Sequence, residues 1–469
     1  MDKAAIAAGL IAILIGIAVI FVSSPPETSR TIEEQRFRAE LDPLLREALT
    51  LLEDYDEFGG WKGLKGNATR FFHVEKINGV WWFVDPLGHV FISKGCNHVS
   101  FYPDWSPATG RSNYHEAARR KYGDENSWAT FAVNRLKSWG FNTIGAWSSA
   151  LTWNRSMAYT VILDIAASSG ANWQSGGVAD VFSQEFSETA RRIAREKCEP
   201  RVGDPWLLGY FLDNELRWGP DWRGSTTLLQ EYMRMPADSA GKTKAVEFLT
   251  SRYSNASDFN RAWGTNLENL DQLHSLTRLS STTDRARLDT SDFAYLVAKQ
   301  YFTVCNEAIR SVDENHLILG CRFAYLSSEE AVRAMAGLCD VVSFSAYMND
   351  PPLTDMRRAH DLCGLPILIS EFSFRAKDSG LQNTRGAGPI VSTQVDRSTE
   401  FRDYVLKWMA EPYAVGFHWF QHSDQPREGR FDGENSNYGL VLITDEPYEL
   451  LTKTALAVNI GLESRRVKG

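Results

Sequence analysis

Short apolar runs recur along the chain, and several of them end abruptly in polar side chains. Residues 207–215 are almost wholly apolar until the last three positions, and residues 366–371 show the same pattern. Parallel strands that are buried on both faces have nearly continuous apolar sequences, and in α/β barrels their carboxyl ends open into the active site. The runs therefore predict parallel strands that carry functional side chains at one edge of a sheet.

Stretches with helical periodicity, such as residues 128–139, 184–197 and 292–311, alternate with these apolar runs. Such alternation is typical of βαβ units. An α/β barrel with insertions commonly exceeds about 250 residues as one domain, so a chain of 469 residues can form such a barrel. We therefore predict an α/β fold, a (β/α)8 TIM barrel, with strands at residues 90–97, 141–147, 160–164, 207–215, 316–321, 341–347, 366–371 and 414–420.

Two regions fall outside the regular alternation. Residues 216–315 separate the fourth and fifth predicted strands, and helical periodicity at 245–253 and 259–264 predicts a helical insertion there. Before the first barrel strand, Asn78-Gly79 predicts a β-hairpin turn. Residues 28–52 predict a helix that packs on the outside of the barrel or serves only as a stalk. The predicted domains are an anchor (1–27), a helix with linker (28–70) and a catalytic barrel (71–469).

Residues 4–22 are uncharged and almost continuously apolar. As a helix they would extend about 28 Å at 1.5 Å per residue, close to the hydrocarbon thickness of a bilayer. A cleaved signal peptide is the alternative, but Pro25 stands where cleavage would be expected. We therefore expect a transmembrane anchor with the catalytic domain extracellular or periplasmic, and secretion after signal cleavage is the alternative.

Charge and cysteine content narrow the classes of partner. The net charge of -9 argues against a nucleic-acid partner, since polyanions are held by clustered Lys and Arg. The six cysteines are widely spaced, without a C-x-x-C pair or a Cys/His cluster at metal-ligand spacing. The sequence therefore predicts no metal site and no cofactor, and a neutral substrate suits the charge balance.

Glu215 ends the fourth predicted strand and Glu371 ends the seventh. In a barrel these strand ends lie across the mouth from one another. Hydrolysis of a glycosidic bond requires two such carboxyl groups, because one protonates the leaving oxygen and the other attacks the sugar or activates water. A single glutamate would more often be a solvated strand end, but the pair predicts a catalytic site.

Further polar and aromatic residues end the other predicted strands or follow them. Tyr347 is expected to donate its phenol to ionised Glu371, and Trp419 to offer an apolar face to a pyranose, with core packing as the alternative for both. His98 suits a core role equally well, and the loop after strand eight is rich in hydrogen-bonding side chains. The predicted substrate-binding residues are Asn97, His98, Trp147, Asn214, Tyr347, Trp419, Asp424 and Glu434.

Three motifs resemble those of the retaining glycoside hydrolases of clan A, and within it the β-agarases of family 50. They are Gly209-Tyr-Phe-Leu-Asp-Asn-Glu215, Ile369-Ser-Glu-Phe372 and Gly416-Phe-His-Trp-Phe-Gln421. Residues 81–89 and parts of 424–448 are also similar to that family, so the resemblance covers most of the chain from about Phe71. Motifs within 248–264 resemble a segment of clan A β-galactosidases.

The resemblance implies a role for three residues. It makes Glu215 the acid/base, Glu371 the nucleophile and Asn214 the partner of the sugar's 2-hydroxyl. It also implies hydrolysis of β-galactosidic, agarose-like bonds of a polysaccharide by double displacement with retention.

Other functions are compatible with the same residues. A β-galactosidase or an endo-glycanase acting on another glycan would use the same glutamates. A non-catalytic, membrane-tethered glycan-binding barrel would need neither an acid nor a nucleophile, so the paired glutamates argue against it. A metal-dependent barrel enzyme ranks lower, because the strand ends lack a cluster of His and Asp.

Overall fold

The structure is a computed structural model that describes residues 32–468. These residues form two compact units. Unit 1 comprises the chain up to Thr160, Ala346–Pro352 and the chain from Ile369, and unit 2 comprises Val161–Ser345 and Leu353–Leu368. The predicted anchor at residues 4–22 lies outside the described residues. Within 32–468, no helix combines the length and the apolar character needed to cross a bilayer.

The strands and helices alternate over most of the described chain. The strands are β1 (Trp61–Lys65), β2 (His73–Ile77), β3 (Val80–Val84), β4 (His89–Phe91), β5 (Ser93–Cys96), β6 (Thr143–Ile144), β7 (Ala158–Ile162), β8 (Leu207–Phe211), β9 (Leu317–Ile318), β10 (Phe323–Ala324), β11 (Val342–Ser345), β12 (Ile367–Phe372), β13 (Arg375–Ala376), β14 (Ile390–Val391) and β15 (Ala414–Trp419). The α-helices are α1 (Ile32–Thr50), α2 (Asn113–Tyr122), α3 (Glu125–Ser138), α4 (Gln184–Ile193), α5 (Leu228–Arg234), α6 (Ala240–Arg252), α7 (Ala256–Trp263), α8 (Asp284–Arg310), α9 (Glu329–Ala334), α10 (Leu353–Cys363), α11 (Gln394–Met409), α12 (Glu449–Asn459) and α13 (Leu462–Lys468).

Unit 1 contains an antiparallel sheet and a set of parallel strands. The antiparallel sheet has the order β1-β4-β3-β2, and its β2–β3 hairpin turns at Asn78 and Gly79, both with positive φ. The parallel strands of this unit follow the order β12-β15-β5-β6-β7. Their register pairs Trp419 with Cys96 and Ile144 with Tyr159. The strands of the parallel set are buried, as continuous apolar sequence predicts.

Unit 2 also combines parallel strands with helices. β8 pairs with β9 in parallel, and β10 pairs with β11 in parallel. The helices α5, α6 and α7 stand between β8 and the long helix α8, which confirms the helical insertion. Parallel pairing and strand–helix alternation in both units confirm the predicted α/β class.

The predicted strands and helices coincide with observed ones, with three corrections. The predicted strand at residues 90–97 is two strands, because β4 pairs antiparallel with β1 and β3 whereas β5 pairs in parallel with β15 and β6. Glu371, predicted as the last residue of its strand, is the penultimate residue of β12. The helix predicted at 184–197 is observed as α4, which ends at Ile193 and is followed by a π-helical turn over Ala194–Cys198.

The N-terminal helix α1 packs on unit 1. Its apolar residues Phe37, Leu41, Leu45 and Ala48 form one buried cluster with Leu450, Leu456, Ala457 and Ile460 of the C-terminal segment. Burial of such a stripe is the main source of stability for an amphipathic helix. The described part of this helix is therefore a packed element rather than a free stalk.

Candidate active site

In unit 1, Glu371 is a buried carboxylate held by a phenol. It is 4% exposed, and Tyr347 Oη donates a hydrogen bond of 2.5 Å to its Oε2. The backbone N–H of Ala346 donates to the carbonyl oxygen of Glu371 at 2.8 Å, which fixes the segment carrying Tyr347 beside β12. A hydroxyl donor to a carboxylate forms a short, strong bond that orients the acceptor. This environment suits a carboxylate nucleophile.

An aromatic cluster surrounds Tyr347 within unit 1. The Phe420 ring meets Tyr347 edge to face at 6.2 Å between centroids, and it meets Trp147 in the same way at 6.3 Å. Trp147 is 36% exposed and has a positive φ of 57°. The cluster therefore presents one exposed aromatic side chain two ring contacts away from the phenol that holds Glu371.

In unit 2, Glu215 lies beyond the carboxyl end of β8 in a loop. Its φ is +47°, a left-handed conformation that is uncommon for a non-glycine residue, and it is 9% exposed. Trp173 Nε1 donates to Glu215 Oε2 at 2.8 Å. Arg223 Nη1 donates both to the carbonyl oxygen of Glu215, at 2.8 Å, and to that of Trp173, at 3.0 Å. Contacts between loops therefore hold Glu215.

The two residues before Glu215 also have defined partners in unit 2. Arg322 Nε donates to Asn214 Oδ1 at 3.0 Å, so the Asn214 amide group presents its nitrogen as a donor. Asp213 is buried and accepts hydrogen bonds from Tyr301 Oη and from the backbone N–H groups of Ala166 and Ala167. Burial raises the pKa of Asp213 to about 7, although these hydrogen bonds favour its charged form.

Three residues predicted to bind substrate are buried and hydrogen-bonded to other parts of the protein. Asn97 is fully buried, donates to the Ser370 carbonyl oxygen at 2.8 Å and accepts from the Ala146 N–H at 2.9 Å. Trp419 is fully buried, and its Nε1 donates to the Tyr438 carbonyl oxygen. These bonds give Asn97 and Trp419 a structural role in the interior.

Asp424 is the third of these residues. It is 2% exposed and accepts from Asn437 Nδ2, the Gly439 N–H and Tyr448 Oη. Burial raises its pKa to about 6, while the nearby Arg397 guanidinium lowers it. The carboxyl group therefore holds the C-terminal segment in place.

His98 and Glu434, which were also predicted to bind substrate, belong to a polar network of unit 1. His98 is half-buried, and its Nδ1 lies 3.0 Å from Gln421 Oε1. Glu434 accepts from Gln425 Nε2 at 2.7 Å and pairs with Arg430 at 2.9 Å. Burial raises the pKa of Glu434, and the Arg430 charge lowers it. This network orders the loop after β15 and leaves His98 and Glu434 partly accessible.

The sequence also missed a group of potential metal ligands in unit 1. Asp56, Asp85 and His89 bring one ligand atom each to within 4.8 Å of one another. Each aspartate also accepts two backbone N–H groups in its own turn, and His89 Nδ1 lies 2.5 Å from Asp56 Oδ2. Burial and the neighbouring Asp56 raise the pKa of Asp85 to about 8. Asp56 lies in a separate turn from Asp85 and His89, so no short motif marked the group.

Known proteins resemble this chain in sequence and in structure. No protein-family model matches the sequence. The chain is 28% identical to β-agarase B of Vibrio sp. (strain JT0107) over 88% of its own length, and 30% identical to β-agarase A of the same strain over 84%. A solved exo-β-agarase structure superimposes with a TM-score of 0.78 at 26% identity, covering 95% of this chain and 73% of that one.

The chain spans about half the length of the two curated relatives, 50% of β-agarase B and 46% of β-agarase A. The likeness nevertheless extends over most of the present sequence, and the structural likeness covers both units. By sequence and by fold, the chain is therefore similar to the β-agarases.

Proposed function

We propose that this protein is a retaining glycoside hydrolase that cleaves β-galactosidic bonds of an agarose-like polysaccharide, with Glu371 as nucleophile and Glu215 as acid/base. The observation that carries the proposal is the short bond from Tyr347 Oη to the buried Glu371 carboxylate. A buried carboxylate that a phenol holds in place by a hydrogen bond is suited to attack an anomeric carbon. The β-agarase relatives support the substrate class.

The environment of Glu215 supports the proton-transfer role. The chain leaves β8 at Phe211 and places Glu215 in a loop at the carboxyl end of that strand, where barrel enzymes carry catalytic groups. Its neighbour Asn214 presents an amide donor suited to a sugar hydroxyl. We extend the proposal to the finer fold class, a (β/α)8 barrel.

The proposed reaction has two displacements. In the first, a Glu371 carboxylate oxygen attacks the anomeric carbon, the glycosidic carbon–oxygen bond breaks, and Glu215 gives its proton to the departing oxygen. In the second, Glu215 takes a proton from water, the water oxygen attacks the anomeric carbon, and the bond to Glu371 breaks. Two inversions give net retention. At the start of the cycle the nucleophile must be a carboxylate and the acid/base must be a carboxylic acid.

Agarose hydrolysis by the E371Q variant tests the proposal. The amide is nearly isosteric and keeps an acceptor for Tyr347 Oη, so the variant should fold while its activity falls by at least about 10⁴-fold. The measurement is reducing-sugar release with proton NMR of the first product formed by the wild type, which should be the β-anomer. Wild-type rates from E371Q, or an α-anomer as the first product, would contradict the mechanism.

A panel of polysaccharides separates the substrate alternatives. Agarose, other β-galactans and β-glucans are incubated with the wild type, and the products are identified by mass spectrometry. Release of agarose oligosaccharides supports the proposed substrate, and exclusive cleavage of another glycan would assign a different one. Tight agarose binding without any product would favour a glycan-binding protein.

We also propose that residues 4–22 anchor the protein in a membrane with the catalytic part outside the cytoplasm. The support is the uncharged apolar sequence of that stretch, long enough to span as a helix. Full-length protein should sediment with membranes after an alkaline carbonate wash, whereas a variant lacking residues 1–27 should stay in the supernatant. Full-length protein that is recovered in soluble form with a shortened N-terminus would support a cleaved signal instead.

A further inference from the structure

Two loops of unit 2 meet around the carboxyl group of Glu215. One loop spans residues 172–177 and is closed by the Asn172↔Gly177 bridge, and the other is closed by the Asp221↔Gly224 bridge. Trp173 of the first loop donates its indole N–H to Glu215 Oε2. Arg223 of the second loop donates to the backbone carbonyl oxygens of both Glu215 and Trp173. The indole donor and its target are therefore tied together by one guanidinium.

Arg223 is itself held in place. Its Nε and Nη2 donate to Asp221 Oδ2 at 3.0 and 2.6 Å, and its guanidinium lies 4.3 Å from the centre of the Trp222 ring. The Arg223 side chain is 4% exposed. A planar guanidinium with several fixed partners loses little further freedom when it bridges two carbonyl groups. The bridge is a rigid support for the loop that carries Trp173.

Close packing of the two loops also restricts Trp173. Gly176 has a φ of +71°, and a Cβ atom at this position would approach the Arg223 Cβ to 2.9 Å and the Arg217 Cδ to 2.8 Å. Arg217 Nη1 donates to the Gly176 carbonyl oxygen at 3.3 Å. Glycine at 176 therefore permits the approach of the loops that brings Trp173 to Glu215.

The chemistry of the indole decides which oxygen carries the acid proton. An indole N–H only donates, so Glu215 Oε2 must act as the acceptor whether the carboxyl group is neutral or ionised. In the neutral acid the carbonyl oxygen is the better acceptor of this bond, which favours Oε1 as the oxygen that carries the proton. A carboxyl group with one oxygen fixed in this way also cannot rotate freely, and orientation of a transferring group is a large part of catalysis.

We infer that Trp173 is a positioning residue for proton transfer by Glu215, with Arg223 holding Trp173 in place. This inference rests on the proposed function and adds two residues that act through Glu215. Replacement of Trp173 by phenylalanine keeps an aromatic ring and removes the N–H donor. Since Trp173 is 38% exposed, the W173F variant should fold with an unchanged melting temperature.

Two substrates with the same sugar and different leaving groups test the inference. One is an agarose oligosaccharide, whose leaving sugar needs a proton, and the other is the 2,4-dinitrophenyl β-glycoside of the same sugar, whose leaving group needs none. The value of kcat/KM reports only the steps up to departure of the leaving group, which isolates the acid step. We expect W173F to lower kcat/KM by about 10- to 100-fold on the oligosaccharide and by less than about threefold on the dinitrophenyl glycoside.

The R223K variant is a second probe, because lysine keeps the charge but loses the planar group that binds Asp221 through Nε and Nη2 and both carbonyl groups through Nη1. It should show the same leaving-group dependence as W173F. The matched control is W206F, since Trp206 precedes β8, at the opposite end of the strand from Glu215. This control should leave both substrates within about twofold of the wild type.

The outcomes separate the inference from the proposed function. Equal losses on both substrates, or no loss on either, would overturn the role of Trp173 while the wild type remains a glycosidase. A wild type that hydrolyses neither substrate would overturn the proposed function itself. A selective loss on the oligosaccharide supports the inference, because a merely structural defect would lower both values together.

Discussion

The two candidate catalytic carboxyl groups are held by different kinds of structure. Glu371 lies within the regular strand β12, and its side-chain partner is a phenol from the segment that follows β11. Glu215 lies beyond the end of β8 with a left-handed backbone, and its partners are an indole and a guanidinium from two loops. The first group is built on a sheet and the second on loops.

The difference matches the chemistry proposed for each group. A nucleophile performs one task at one oxygen and benefits from a rigid, buried position. An acid/base gives a proton to one oxygen atom and later takes a proton from another, so support by loops suits its changing partners. The comparison therefore predicts that substitutions around Glu371 lower the rate for every substrate, whereas those around Glu215 discriminate between leaving groups.

Rescue by azide gives the largest expected effect. Both E371A and E215A should lose at least about 10⁴-fold in turnover of the unactivated substrate. With the dinitrophenyl glycoside and azide, E371A should yield the α-glycosyl azide, because azide attacks the substrate directly with one inversion. E215A should yield the β-glycosyl azide, because azide attacks the intermediate on Glu371. Proton NMR of the azide products assigns both configurations.

The two rescue products must differ if the roles are as proposed. An α-azide from both variants would mean that no covalent intermediate forms on Glu371. A β-azide from E371A with an α-azide from E215A would show that Glu215 is the nucleophile and Glu371 the acid/base.

The buried residue beside each glutamate provides a contrast in pH dependence. Burial raises the pKa of Asp213 to about 7, well above the ordinary value of an aspartate. The folded state then holds this proton more tightly than the unfolded chain, so this group's contribution to stability falls as pH rises from about 4 to about 7 and stays level above that. The D213N variant should lack this slope, which amounts to about 4 kcal/mol.

Urea unfolding of wild type and D213N at several pH values between 4.5 and 8 measures the effect. The advantage of the wild type over D213N should shrink from pH 4.5 to about 7 and stay level above that. A constant difference would show that Asp213 is charged in the folded state at all of these pH values, with its three hydrogen bonds outweighing burial.

On the Glu371 side, the buried neighbour is an amide without a proton to lose. Asn97 donates to the Ser370 carbonyl oxygen and accepts from the Ala146 N–H. The N97A variant removes both bonds inside the fold, which should lower the free energy of unfolding by about 2–4 kcal/mol. Urea unfolding of N97A should show this loss equally at pH 5 and pH 8. A loss that varied with pH would weaken the contrast with Asp213.

The sequence predicted most strands because strands buried on both faces need continuous apolar residues. It missed the division of residues 90–97 into β4 and β5, since an apolar run does not record where the pairing partner changes. It placed both glutamates at strand ends and identified Tyr347 as the partner of Glu371, and the observed bond agrees with that partner. Because the strands around Glu371 are continuously buried, they could be predicted from the sequence.

Alternation along β15 indicates which side chains lie on each face of the strand. Phe417 and Trp419 pack against Phe401 of α11, whereas His418 on the opposite face lies 2.8 Å from Ser93 Oγ. Phe420, one residue further, therefore shares the face of His418. Attention to this period of two would have favoured Phe420 over Trp419 as the neighbour of the site.

The loops around Glu215 had no comparable signal. Trp173 and Arg223 meet Glu215 through tight turns and a left-handed backbone conformation, and neither has a periodic sequence pattern. Contacts between irregular loops depend on turn geometry that composition does not specify. The part of the candidate site built on loops was therefore the part that sequence reasoning missed.

The phenol beside Glu371 should have a smaller effect than the glutamates themselves. A hydrogen bond to a charged group contributes about 1.5–3 kcal/mol, so Y347F should lower kcat/KM by about 10- to 100-fold. Because the phenol acts on the nucleophile, the loss should be similar for the oligosaccharide and the dinitrophenyl glycoside. The Y102F control, at an exposed tyrosine stacked on His115, should change neither value. A loss confined to the oligosaccharide would remove the difference between the two carboxyl sites.

The smallest expected effect concerns the exposed edge of the Glu371 side. Trp147 contacts Phe420, Phe420 contacts Tyr347, and Tyr347 holds Glu371, all within unit 1. A sugar ring stacked on Trp147 would gain about 0.5–1.5 kcal/mol beyond burial of its area, so W147A should raise KM by about three- to tenfold.

The value of kcat for W147A should change less than KM, because stacking is present in the ground state as well as the transition state. Steady-state kinetics on agarose oligosaccharides of increasing length provide the measurement, with F131A as control, since Phe131 is exposed on α3. A fall in kcat with unchanged KM would place Trp147 among the supports of Tyr347 and Glu371 instead of the sugar-binding surface. That result would make Trp147 part of the rigid surroundings of Glu371.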